Sequence, residues 1–199
     1  GSPLNEAQKR RSLHGYYACI SYVDAQIGHI IATLKEQNVY DNTVIVLLGD
    51  NGYQNGNNGV WAKGVHWEST NHIPMLMRVP ELGAPQQKSD ALVEALDIFP
   101  TLCDIAGLDA PKHCEGQSLL PLIKDPEQPW HDVACGQFIN GDAMGRSIRT
   151  ARYRYTIWSE GDRDVGLELY DLIKDPQGNV NQAKNPEYSI ALKKCRELY

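Results

Sequence analysis

The chain has no excess of positive charge: 25 acidic side chains outweigh 19 Lys and Arg, for a formal charge of −6. Nucleic-acid binding ordinarily calls for a basic surface, so that partner class is set aside. No apolar run is long enough to cross a membrane, and no Asn-x-Ser/Thr sequon is present. The five cysteines include no Cys-x-x-Cys pair, which excludes a zinc site of that pattern and a dense disulfide framework. Cys103 falls in an apolar helical pattern and reads as a core residue. Cys114 and Cys135 flank a loop-rich stretch in which they could pair. Internal repeats and low-complexity tracts are also lacking. What remains is an ordinary globular composition over 199 residues, enough for one domain or one and a half.

The most informative stretch runs from Thr43 to Val79. Val44 to Gly49 is nearly continuous in apolar or small residues, the pattern of a strand buried on both faces in a parallel α/β sheet. Ligands of such sheets bind beyond the carboxyl ends of strands, where Asp50 and Asn51 stand. Their oxygens suit a hard cation such as calcium, although two ligands are too few for a site. Asp-Asn-Gly is also a common turn after a strand. A loop rich in glycine and asparagine follows, then Lys63 in Trp61-Ala62-Lys63-Gly64, with His66, Trp67 and Glu68 behind it. A second apolar run, Ile73 to Val79, returns to the core. Metal-ligand candidates, a loop that lets backbone approach a ligand, and one cation between two strands describe a site for an anion beside a metal.

Along the rest of the chain, apolar residues at helical spacing from Leu13 to Leu34 predict a long amphipathic helix ending near Gln37-Asn38. Asp24 falls on or near its apolar side as a candidate buried polar group. Glu81 to Lys88 reads as a polar loop. Ala91 to Ala106 reads as helical, with Pro100 marking a break or a first turn and Gly107 a C-cap. Pro111 to Trp130 reads as a long surface connection. From Val133 the pattern alternates: Val133 to Ile139, Arg146 to Trp158 and Leu167 to Leu172 predict strands, with Tyr153, Tyr155 and Ile157 on one face. Arg149, Arg152 and Arg154 then make a basic patch, read first as a solvated face and second as a binder of an acidic sugar. Pro186 to Tyr199 predicts a closing helix. The expected organisation is an α/β part over residues 1–130 and a small α+β subdomain over 131–199.

Asp50-Asn51-Gly52, Lys63 and Glu68 followed by His72-Ile73-Pro74 resemble the second half of the sulfatase active site. Asp97-Ile98-Phe99-Pro100-Thr101-Leu102 and Ala106-Gly107-Leu108 match another segment of that family. Ser147-Ile148-Arg149-Thr150 with Tyr153-Arg154-Tyr155-Thr156 is similar to the iduronate-2-sulfatase group. The resemblance implies part of an alkaline-phosphatase-like sheet with flanking helices, and a short helix at Ser118 to Ile123. It further implies calcium held partly by Asp50 and Asn51, and Lys63 as the catalytic cation on the sulfate or the leaving oxygen. His66 and His72 become candidate substrate contacts, each with a structural alternative.

The sulfatase nucleophile is a formylglycine made within a Cys/Ser-x-Pro-x-Arg motif, and none of the five cysteines or nine serines here begins one. The family's N-terminal aspartate metal ligands are missing too. The expectation is therefore the C-terminal part of a sulfatase, inactive alone, acting with its N-terminal part on a sulfated small molecule or glycan. Export to the periplasm or lysosome is implied by the resemblance alone. A phosphodiesterase or phosphonate hydrolase of the same superfamily, and a non-catalytic binding domain, stand as alternatives.

Overall fold

A helix of 31 residues dominates the first part of the computed structural model, which describes residues 3–82 and 86–199. The loop expected over 81–88 thus lies partly outside the described residues. In chain order the elements are α1 (Glu6–Glu36), β1 (Ile45–Leu48), β2 (Gln54–Asn55), β3 (Trp61–Ala62), α2 (Glu68–Asn71), β4 (Met75–Arg78), α3 (Ile98–Ile105), α4 (Leu120–Lys124), β5 (Val133–Asn140), β6 (Ala143–Thr150), β7 (Tyr153–Glu160), β8 (Arg163–Asp171) and α5 (Ser189–Leu198). They fall into two compact units. The first comprises the described residues up to Lys63 with Ile73–Pro80; the second comprises Gly64–His72 with the described residues from Glu81 to Tyr199. This cuts the chain differently from a boundary near residue 130, because residues 64–72 and the described residues from 81 to 130 cluster with the C-terminal sheet.

In the first unit α1 starts at a capping box. The Asn5 side chain accepts from the Gln8 amide at 2.9 Å, and the Gln8 side chain accepts from the Asn5 amide at 2.9 Å. The helix ends at Gln37, followed by Asn38 in the left-handed region. None of its residues, all of them described, is buried, Asp24 included. Tyr17, Ile20, Val23 and Ile30 therefore stand exposed at the helical spacing expected of a core-facing stripe. The neighbouring strands expected from the two apolar runs are present as β1 and β4. They run antiparallel, with Leu48 opposite Met75 and Ile45 opposite Arg78, and the Gly49 amide extends the pairing to the Pro74 carbonyl at 2.9 Å. Leu47, Leu48 and Leu76 stay exposed, so among the described residues neither strand is buried on both faces and no parallel pair forms. Arg78 fixes the turn into β1. Its guanidinium lies over the Tyr40 ring at 4.0 Å and donates to the carbonyls of Tyr40 at 2.8 Å and Thr43 at 3.1 Å.

The second unit is built on an antiparallel sheet ordered β5-β6-β7-β8. The stretch Arg146 to Trp158, expected as one strand, is two: a turn at Ala151-Arg152 separates β6 from β7, fixed by the Thr150 hydroxyl accepting from the Tyr153 amide at 2.9 Å. One face of the sheet carries Ile148, Tyr155, Ile157 and Leu169, which pack with Tyr188 and Cys195 beside Ala191 and Leu192 of α5. That is the face and the closing helix expected from the alternation. The opposite face is polar yet buried at Ser147, Arg154 and Thr156. Further back, Pro100 sits in the first turn of α3, and residues 91–94 before it are not helical. Asp97 replaces them as the anchor, its carboxylate accepting from the Glu94 and Gln117 amides at 2.8 Å each. Gly107, with φ 70°, ends α3 as its sequence position predicts. The short helix expected at 118–123 is α4. All five cysteines lie in the described residues as free thiols, so Cys114 and Cys135 are not paired. Among the described residues no helix is long and apolar enough to cross a membrane.

Candidate functional site

Asp50 and Asn51 follow directly on Gly49 at the carboxyl end of β1. Asp50 is exposed, and one of its carboxylate oxygens accepts from the Asn51 amide at 2.9 Å. The chain then runs into the β2–β3 hairpin, in which Gln54 pairs with Ala62 and Asn55 with Trp61. Lys63, the residue after β3, is exposed. Tyr53 is stacked on Tyr16 of α1, with ring centroids 5.3 Å apart.

The tip of this hairpin depends on glycine. Gly56 has φ 95°, and a β-carbon there would lie 2.9 Å from the Trp61 ring. At the other end the backbone is unusual on either side of Lys63. Ala62 before it has φ 76° and Gly64 after it has φ 102°. Glycine tolerates that region, but alanine there costs about 1–2 kcal/mol. Residues held in such conformations persist only where their surroundings fix them.

The two histidines, both in the second unit, have different environments. His66 is 3% exposed. Its Nε2 lies 3.1 Å from the Gly145 carbonyl and its Nδ1 3.0 Å from the Asn71 amide nitrogen. Both ring nitrogens have partners within the protein. Burial pushes its pKa below the ordinary imidazole value, the Gly145 hydrogen bond opposing this only in part. His72 is exposed, with Nδ1 3.4 Å from Glu68.

Sequence reasoning missed the group around Glu68. Arg149 and Arg154 are direct cross-strand partners on the polar sheet face, and Glu68 lies between their guanidinium groups. Arg154 donates to Glu68 Oε2 from Nε at 3.0 Å and from a terminal nitrogen at 2.7 Å; Arg149 Nε lies 3.2 Å from both carboxylate oxygens. Burial works against the Glu68 charge, but the two arginines outweigh it and hold the carboxyl below its usual range. Arg149 and Arg154 are therefore not a solvated face. Arg152, at the turn, pairs instead with Asp171 at 2.7 Å. The sequence did hold a signal: two arginines opposite each other on a sheet face require an anion between them.

Asp50 and Asn51 offer the oxygen donors that a calcium ion prefers, but calcium takes six to eight. Among the described residues no group of three or more His, Cys, Asp or Glu could hold a metal ion. The donor chemistry fits; the number of donors does not.

A family profile described as Sulfatase matches residues 2–108, and one described as N-sulphoglucosamine sulphohydrolase, C-terminal, matches residues 56–198. Arylsulfatase K of Canis lupus familiaris is 34% identical over 89% of this chain, and iduronate 2-sulfatase of Mus musculus is 27% identical over 98%. The chain spans only 35% and 48% of the lengths of those two relatives. A solved structure in complex with its substrate D-glucosamine-2-N,6-O-disulfate superposes with a TM-score of 0.89 at 26% identity, covering 100% of this chain and 42% of the other. Matching sulfatase structures of the alkaline-phosphatase-like fold, together with a family profile over more than half the residues, make this chain a member of the sulfatase family.

Proposed function

We propose that this chain supplies one part of a sulfatase active site, and that the intact protein hydrolyses a sulfate ester of a sugar to the alcohol and inorganic sulfate. What supports this reading is the Sulfatase family match over residues 2–108, the stretch that holds Asp50 and Asn51 before the β2–β3 hairpin and Lys63 directly after it. A sulfate ester is an anion, and its cleavage places further negative charge on the leaving oxygen. Lys63, exposed and cationic, is placed to offset that charge, the usual large term in such reactions. Asp50 and Asn51 contribute oxygen ligands to a calcium ion whose remaining ligands come from residues outside this chain. When bound, that ion would hold and polarise the sulfate oxygens. The nucleophile is likewise supplied from outside this chain, as a formylglycine in the N-terminal part of the protein.

His72, exposed near the start of β4, remains the candidate for contact with the sugar, and His66 acts within the fold. The sulfated-sugar substrate class is supported by the structural neighbour bound to a sulfated glucosamine and by a relative that is a Delta 4,5-hexuronate-2-O-sulfatase. The test is release of sulfate from D-glucosamine-2-N,6-O-disulfate and from an aryl sulfate by the intact protein. Lys63→Ala should lower kcat by about 100-fold or more, the scale of losing one charge-stabilising group, with an unchanged melting temperature. Full activity of the Lys63→Ala protein, or turnover by these 199 residues alone, would sink the reading.

A further inference from the structure

We propose that Glu68 is a positioning residue for Lys63: clamped between Arg149 and Arg154, it fixes the segment that follows the lysine and so holds the strained backbone that presents it. The inference rests on the role proposed above for Lys63. Three observations carry it. The backbone at Ala62 lies at φ 76°, so something must hold it there. Ahead of Lys63 the sheet pairing is short, β2 and β3 pairing over only two residues each.

Behind Lys63 the hold is extensive. The α2 helix that begins at Glu68 has four residues, too few to persist by its own hydrogen bonds. Side chains anchor it instead. Glu68 is gripped by both arginines, His66 reaches the Gly145 carbonyl, and the Trp67 indole donates to Glu168 at 3.2 Å.

The clamp is also mutually dependent. Arg154 is 5% exposed and sits opposite Arg149 in the sheet, so removing the Glu68 charge leaves two guanidinium groups facing each other, one of them buried. The charged or titratable groups facing Glu68 are Arg149, Arg154 and, at 3.4 Å, His72. A glutamine at this position keeps the shape and loses the charge, and the segment after Lys63 should then loosen while the rest of the sheet stays paired.

The experiment uses the intact protein with Glu68→Gln and, in case that variant folds poorly, Arg149→Gln, which leaves the Arg154–Glu68 pair in place. Amide hydrogen exchange is read over residues 61–72 and over β6 and β7, and turnover is read on 4-nitrophenyl sulfate. Glu68→Gln should speed exchange over 64–72 by about tenfold or more with β6 and β7 within about twofold, the pattern of local opening. It should lower kcat by about tenfold or more with KM changed less than about threefold, and Arg149→Gln should do the same to a smaller extent. Unchanged exchange over 64–72 overturns the clamp. Equal loosening of β6 and β7 makes Glu68 a residue of the fold and overturns positioning, as does undiminished kcat in a loosened segment. An intact wild-type protein without turnover on any sulfate ester would end the sulfatase reading by itself, and the exchange pattern would still decide whether Glu68 holds the segment.

Discussion

In the second unit Tyr155 and Leu169 are fully excluded from solvent beneath a closing helix, whereas in the first no residue of a 31-residue helix is buried. The residues proposed for chemistry, Asp50, Asn51 and Lys63, all belong to the first. The second unit uses both faces of its sheet: one packs apolar side chains against α5, and the other binds residues 64–72 through ions and hydrogen bonds. The first has two-stranded pairings and a few local anchors such as Arg78 on Tyr40. The residues proposed for chemistry and the buried core thus lie in different parts of the chain. The apolar stripe of α1 shows that the first unit has the pattern of a core without its counterpart in these residues.

The difference can be broken most forcefully in the second core. Leu169→Ala removes a fully buried side chain from beneath α5 and should destabilise the second unit by about 2–5 kcal/mol, read by denaturant unfolding of this chain. A smaller cost would mean that the core is less closely packed than its burial indicates.

A smaller effect is expected at the edge of that core. Asp171 accepts from Arg152 at 2.7 Å and from the Tyr188 hydroxyl at 3.1 Å, and its carboxyl is held at about 2 instead of 3.8. The Arg152 hydrogen bonds are the main cause; burial opposes them, and the Lys174 amide and Tyr188 assist. Above the unfolded value of 3.8 this group is ionised in both states and its stabilisation is fully present. As pH falls from 3.8 towards about 2 the unfolded chain takes up the proton first, so the stabilisation is lost across that window. Asp171→Asn should cost about 1.5–3 kcal/mol at neutral pH and flatten the stability profile over that acid range, as followed by urea melts. An unaltered acid profile would remove Asp171 from the second unit's anchors.

The smallest effect belongs to the first unit. Ile30→Ala on the exposed stripe of α1 should change the stability of this chain by no more than about 0.5 kcal/mol. Repeated in the intact protein, a loss of about 2 kcal/mol or more would show that the stripe is covered there, and so sharpen the contrast between the units.

Much of this was legible from residue patterns. The end of α1 at Gln37, the stop at Gly107, and the Tyr155 and Ile157 face follow from spacing and capping chemistry, which act over a few residues. The direction of β1 against β4 was not legible, because an apolar run fixes burial preference and not the partner. Nor was the break between β6 and β7, since alternation continues through Arg152 without glycine or proline to mark the turn. The surroundings of His66 and the arginines were not legible for one reason: their partners lie far away in sequence, Gly145 for the histidine and Glu68 for Arg149 and Arg154. The positions proposed for the site were visible because they cluster within 14 residues, from Asp50 to Lys63. What holds the segment behind them required the fold.

The central claim is that this chain carries an incomplete site, with Asp50 and Asn51 as two ligands of an ion that needs more. Calorimetric titration with calcium, run on these 199 residues and on the intact protein, tests it directly. The expected result is weak or no binding by the chain and tight binding by the intact protein, the latter weakened by Asp50→Asn with little change in melting temperature. Micromolar binding by the chain alone, or intact-protein binding indifferent to Asp50→Asn, would contradict a site shared between this chain and the rest of the protein.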